Sequence, residues 1–159
     1  MPLILSLLLA AQITPMQPMP KGTGLPLADA DTAAVMAPID RLFAAMTARD
    51  PQALLAQVKP EGGATSANEG PDGTRDVSRL SWADFAARLK VGTERYEERL
   101  TDPAVEVDGD IAMVWSPYTF LIDGKVHHCG VDHFDLVHDA GGWKILNITW
   151  SKRTTGCGT

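Results

Sequence analysis

Residues 110–153 read DIAMVWSPYTFLIDGKVHHCGVDHFDLVHDAGGWKILNITWSKR. Apolar and polar side chains alternate through most of this stretch, and the alternation breaks at Asp123-Gly124 and again over residues 139–142. A period of two sends successive side chains to opposite faces of a strand. Aspartate-glycine between two such runs signals a hairpin, because both central positions of its turn need positive φ. The stretch therefore predicts strands over residues 111–122, 126–137 and 143–152, joined as an antiparallel meander.

Upstream, residues 96–100 form a short candidate strand, Asp102-Pro103 interrupts it, and residues 104–107 lead to a turn at Asp108-Gly109. Before residue 93 the period changes. Val35, Ile39, Leu42, Phe43 and Met46 recur at helical spacing behind a cap at Asp31 or Asp29, which predicts an amphipathic helix ending near Arg49. Asp50-Pro51 places a capping carboxylate before a proline at the first helical position, and Leu54, Leu55 and Val58 follow on one face of a second helix. Ser81 with Asp84 resembles a capping box, and Trp82, Phe85, Ala86 and Leu89 make the apolar stripe of a third helix ending at Gly92. Residues 59–75, rich in Gly and Pro, read as a long loop with at most a short strand over residues 65–68. Helices followed by a meander give an α+β class.

Leu3 to Ala11 is an apolar run ending in small residues, which reads as a signal peptide over residues 1–11 and predicts an exported, periplasmic or secreted protein. It is about half the length a membrane span requires. Residues 12–28, with four prolines, read as a flexible leader, leaving residues 29–159 for one domain. Twenty acidic against fourteen basic side chains give a formal charge of −6, with no basic cluster of five or more. Nucleic acid and anionic membranes are therefore poor partners. In an oxidising compartment Cys129 and Cys157 can close a disulfide, worth roughly 3.5 kcal/mol on the chain-entropy estimate. Two unpaired thiols are the alternative reading.

Several cues in the opening stretch go beyond periodicity: Trp115-x-x-Tyr118, Asp123-Gly124, His128-Cys129-Gly130-Val131-Asp132, Phe134-x-Leu136 and Gly142-Trp143-Lys144-Ile145. In these the chain resembles the nuclear-transport-factor-2-like (SnoaL-like) superfamily, above all its small exported members of unassigned function. With the helices included, the similarity covers roughly residues 31–153. The resemblance implies a cone-shaped fold in which three N-terminal helices pack on a strongly curved antiparallel sheet that leaves a pocket. It also implies a homodimer. It implies no single activity, since the superfamily includes isomerases, dehydratases, hydrolases, transport adaptors and inactive binding modules.

A two-residue turn at Asp123-Gly124 would pair Thr119 with His128 and Trp115 with Asp132, and the next hairpin would set Asn147 beside Phe134 and Thr149 beside Asp132. One face would then carry Trp115, His128, Asp132, Phe134, Asn147 and Thr149. The other would carry Val114, Tyr118, Phe120, Ile148 and Trp150, among others, and alternation alone does not say which lines the pocket. Pro117, which cannot donate to the ladder, is expected to mark a bulge. The candidate site is Asp132 as general base or as orienter of His128, with Trp115, Tyr118, Phe134 and Asn147 as pocket residues. A structural reading competes with it, in which Asp132 pins the sheet and His128 is merely satisfied. His127, His128, His133 and His138 lack the spacing of a metal module, and Cys129 lacks an activated-cysteine motif. No phosphate loop, nucleophile elbow or dinucleotide fingerprint occurs, so no cofactor is expected.

The expected function is binding of a small apolar or aromatic molecule without catalysis. A cofactor-free lyase, isomerase or hydrolase using Asp132 and His128 is the alternative, and a purely structural module is a third.

Overall fold

The computed structural model describes residues 29–89 and 92–158, so the expected signal peptide and leader lie outside the described residues. The helices are α1 (Asp29–Ala48), α2 (Pro51–Leu55) and α3 (Trp82–Ala87). The strands are β1 (Val58–Glu69), β2 (Arg75–Ser81), β3 (Tyr96–Leu100), β4 (Ala104–Asp108), β5 (Ile111–Ile122), β6 (Lys125–Asp139) and β7 (Gly142–Arg153). They form one seven-stranded sheet in the order β2-β1-β7-β6-β5-β3, and β4 also pairs with β5.

The α+β class and the C-terminal meander are as expected, while two features of the sheet are not. Residues 59–75 are not one long loop: β1 takes them up to Glu69, a short turn follows, and β2 folds back on β1 from Arg75. The sheet is also mixed rather than wholly antiparallel, because β1 lies parallel to β7, with Ala64 beside Ile148 and Ser66 beside Trp150. The glycines that suggest a breaker are there for close approach. A Cβ at Gly62 would sit 1.6 Å from the Leu146 carbonyl oxygen, so only glycine lets the two backbones meet.

Two of the helices start where their caps dictate, while α1 already includes both Asp29 and Asp31. Asp50 accepts the amide N–H groups of Gln52 and Ala53 with Pro51 at the first turn of α2, and Ser81 accepts that of Asp84 at the start of α3. Val35, Ile39 and Leu42 of α1 pack with Leu54, Trp82 and Ala86 of the other helices against Val114, Phe134, Leu136 and Ile145 of the sheet. Each such aliphatic side chain contributes roughly 1.5–3 kcal/mol by leaving water. The Trp82 indole N–H donates 2.9 Å to the Leu146 carbonyl and fastens α3 to β7. At the other end of α1, the Arg49 guanidinium lies 4.0 Å above the Tyr96 ring and ties the helix to β3.

Cys129 and Cys157 are joined as a disulfide, which anchors the C-terminal tail to β6. No helix among the described residues is long and apolar enough to cross a membrane.

Candidate functional site

Two bulges decide which side chains face the helices. The first hairpin turns at Asp123 (φ 52°) and Gly124 (φ 75°), as expected, but Leu121 pairs with Val126 while Phe120 pairs with His128. His127 is therefore an extra residue in β6, and the pairing beyond it shifts by one. The shift falls here and not at Pro117, which keeps its place opposite Val131. A second shift between Asp135 and Leu136 leaves Leu146 extra in β7, and its freed carbonyl is the one that Trp82 takes.

The register corrects the expected face. Trp115 pairs with His133, Thr119 with Cys129, and Asn147 with Asp135, while Ser116 and Trp150 flank Asp132. Trp115 is 51% exposed and lies against the His133 ring on the face turned away from the helices. Asn147 donates to Asp135 on that same face. Neither lines the hollow, because one inserted residue carries a side chain to the other side of a strand. Phe134 points inward but is wholly buried in the core, edge-on to Phe43.

A cavity of about 390 Å³ lies between α1, α3 and the inner face of β3, β5, β6 and β7. Phe43 and Met46 form its α1 wall, and Trp82 and Phe85 its α3 wall. Phe85 stands edge-on to both Trp82 and Trp150, and Phe120 stacks on the His128 ring at 4.7 Å. The charged and imidazole side chains of the lining are Glu98, Arg88, His127, His128 and Lys152.

His128 thus belongs to the cavity, but it does not partner Asp132. Four residues of one strand separate them, roughly 13 Å of rise, and the Tyr118 ring stands edge-on beside His128. The tyrosine hydroxyl donates 3.0 Å to the Ser151 carbonyl, and burial followed by the charges of Asp132 and Glu98 raises its pKa. Burial, with help from Lys152 and His127, pushes His128 down to about 4, so its imidazole is neutral at physiological pH. The two histidines approach Nδ1 to Nδ1 at 2.8 Å.

The partner of Asp132 is Glu98. Asp132 is fully buried, and neither of its carboxyl oxygens receives a bond from an N–H or hydroxyl donor. The group facing it is the Glu98 carboxyl, which can donate only when the pair holds a proton. Burial and the neighbouring acid raise Asp132 well above the carboxylate range, and burial raises Glu98. The two carboxyls can share a proton, with Glu98 on the cavity wall and Asp132 behind it. The sequence carried a signal for Glu98: it stands between Tyr96 and Leu100 on the inward side of β3, an acid at an apolar position of a period-two pattern. Among the described residues no cluster of His, Cys, Asp or Glu could hold a metal ion.

Fold and site together define a mixed-sheet α+β domain whose inner sheet face and helices enclose an apolar cavity with a buried carboxyl pair. Chain by chain, it is similar to proteins of the nuclear-transport-factor-2-like, cystatin-like fold. A Nostoc punctiforme protein of unknown function with a cystatin-like fold matches at a TM-score of 0.60 and 13% identity, covering 81% of this chain and 96% of that one. A nuclear-transport-factor-2-like protein of Novosphingobium aromaticivorans matches at 0.61 and 17% identity, covering 77% and 81%. A provisionally named scytalone dehydratase of the same organism matches at 0.62 and 11%, covering 78% and 85%. No family model and no curated protein sequence matches the chain. The protein has the nuclear-transport-factor-2-like fold that its C-terminal motifs announce.

Proposed function

We propose that this chain is an exported domain that binds a small apolar or aromatic molecule in the cavity between α1, α3 and the sheet, without catalysing a reaction. The observation that carries the reading is the cavity itself. Its volume of about 390 Å³ falls in the range of small-molecule sites, and its walls are aromatic with a few convergent polar groups. The disulfide supports export, since such bonds persist in oxidising compartments. A strongly curved, cone-shaped sheet belongs to the proposal and is supported by the bulges at His127 and Leu146, which bend and twist strands. So does a homodimer through the outer face, where Trp115 and Ile111 are 51% and 59% exposed. Thermal unfolding with a panel of mono- and bicyclic aromatic compounds tests the reading. A ligand at 100-fold excess over its Kd stabilises by about 2.7 kcal/mol and raises Tm accordingly. The rise should vanish in Ile122→Trp, which fills the cavity from β5, and a panel without any shift would sink the proposal.

A second reading, a cofactor-free lyase, isomerase or hydrolase, is favoured by the Glu98–Asp132 pair. An acid kept protonated in a dry apolar cavity near neutral pH can give or take a proton from a bound molecule. Deuterium incorporation into a bound carbonyl compound in D₂O, present in the wild type and absent in Glu98→Gln, is the expected signature. A wild type that exchanges no faster than buffer removes this reading.

A further inference from the structure

The walls of the cavity and the surface of the chain carry opposite charge. The chain is acidic, at −6, yet the lining brings together two cations, Arg88 and Lys152, against a single acid. That acid, Glu98, is turned to Asp132 behind it and supplies no counter-ion to the cations. Lys152 is the cation set into the wall. It is partly buried, and among the described residues it has neither a hydrogen-bond acceptor nor an ion-pair partner. Of the other described lysines of the sheet, Lys59 pairs with Asp139 and Lys144 donates to the Ala56 carbonyl, while Lys125 is exposed to water at the first hairpin and lines no cavity wall. Its ammonium is therefore available to an anion held in the cavity.

We infer that the ligand of this cavity is an aromatic monocarboxylate, its ring held among Phe85, Trp150 and Phe120 and its carboxylate seated on the Lys152 ammonium. The assignment rests on the proposed binding function and names its ligand class. The edge-on contacts of Phe85 with Trp82 and Trp150 prepare the walls for a flat ring, whose positive edge meets the face of a neighbouring ring. Lys152 also explains the neutral imidazole beside it, since its charge adds to burial in lowering His128. A carboxylate between the two offsets that repulsion, and a neutral imidazole can still donate one N–H to it. Arg88, exposed at the cavity edge, adds to the field that draws an anion in.

Paired titration calorimetry of 2-naphthoate and 2-naphthamide against the disulfide-bonded chain at pH 7.5 and low salt tests the charge preference at constant ring shape. The acid should bind about tenfold or more tightly than the amide, a difference of about 1.4 kcal/mol, and the gap should shrink as salt is added. Lys152→Met should bring the acid down to the affinity of the amide and leave the amide unchanged, while Lys152→Arg keeps the preference. Equal binding of acid and amide by the wild type overturns the ligand class and leaves the binding function standing. A preference that survives Lys152→Met overturns the role of the lysine. Failure of both compounds to bind overturns this ligand class, while the binding function stands or falls with the thermal-shift panel. If Lys152→Met did not fold, Lys152→Gln would carry the same comparison, and the wild-type ratio with its salt dependence already decides the charge preference.

Discussion

Asp132 shows how one side chain can oppose the fold and still define a site. Its carboxyl and that of Glu98 hold protons more firmly in the folded state than in the open chain, because burial disfavours charge and the two acids repel. A folded-state pKa above the unfolded one gives stability that is complete below the ordinary carboxylate value, near 4. It is lost as pH rises through the folded value. Wild-type stability should therefore decline relative to Asp132→Asn as pH rises above the ordinary carboxylate value, by about 1.4 kcal/mol for each unit of upward shift traversed. Urea unfolding of both proteins across that range measures the difference, and a constant offset would contradict the shared proton. His128 acts in the opposite sense. Its lowered pKa gives stability present above the ordinary histidine value, near 6.5, and lost as pH falls toward about 4.

The elements are held by backbone contacts that side-chain periodicity does not encode. The bulge at Leu146 frees one carbonyl for the Trp82 indole and brings Gly62 of β1 against the same group. Gly62→Ala should therefore separate β1 from β7 and cost more than about 2 kcal/mol, a loss typical of overpacking against rigid backbone. Chemical denaturation checks the cost. A variant as stable as the wild type would mean that the β1–β7 contact is looser than described. The N-terminal caps were legible in the sequence, since Asp50 and Ser81 need only a neighbour two or three residues away. β1 was not legible, because its glycines look like breakers until β7 is placed beside them.

At the scale of the molecule, the disulfide holds the chain end to β6 at the same end of the sheet as Lys152: Cys129 pairs with Arg153, the neighbour of Lys152, and Cys157 lies four residues further along the tail. Closing a loop over a sequence separation of 28 restrains the unfolded chain. Its loss in Cys129→Ser with Cys157→Ser should cost about 3 kcal/mol. Equilibrium unfolding with and without reductant provides the measure, and an unchanged midpoint would mean that the bridge contributes little.

Local pattern was enough for the α+β class, the hairpin at Asp123-Gly124 and the starts of α2 and α3, because each depends on residues close in sequence, whereas it left the cysteines either paired or free. The faces were not legible. A strand's alternation survives the insertion of His127 or Leu146 almost unchanged, yet one inserted residue moves Trp115 and Asn147 outward and brings Ser116 and Trp150 beside Asp132. Glu98 became the partner of Asp132 only when β3 and β6, separated by β5 in the sheet, were folded over a common cavity. Sequence governs period and turn, which are local. Register, burial and the company a carboxyl keeps depend on how distant strands align, and only the tertiary structure decides that.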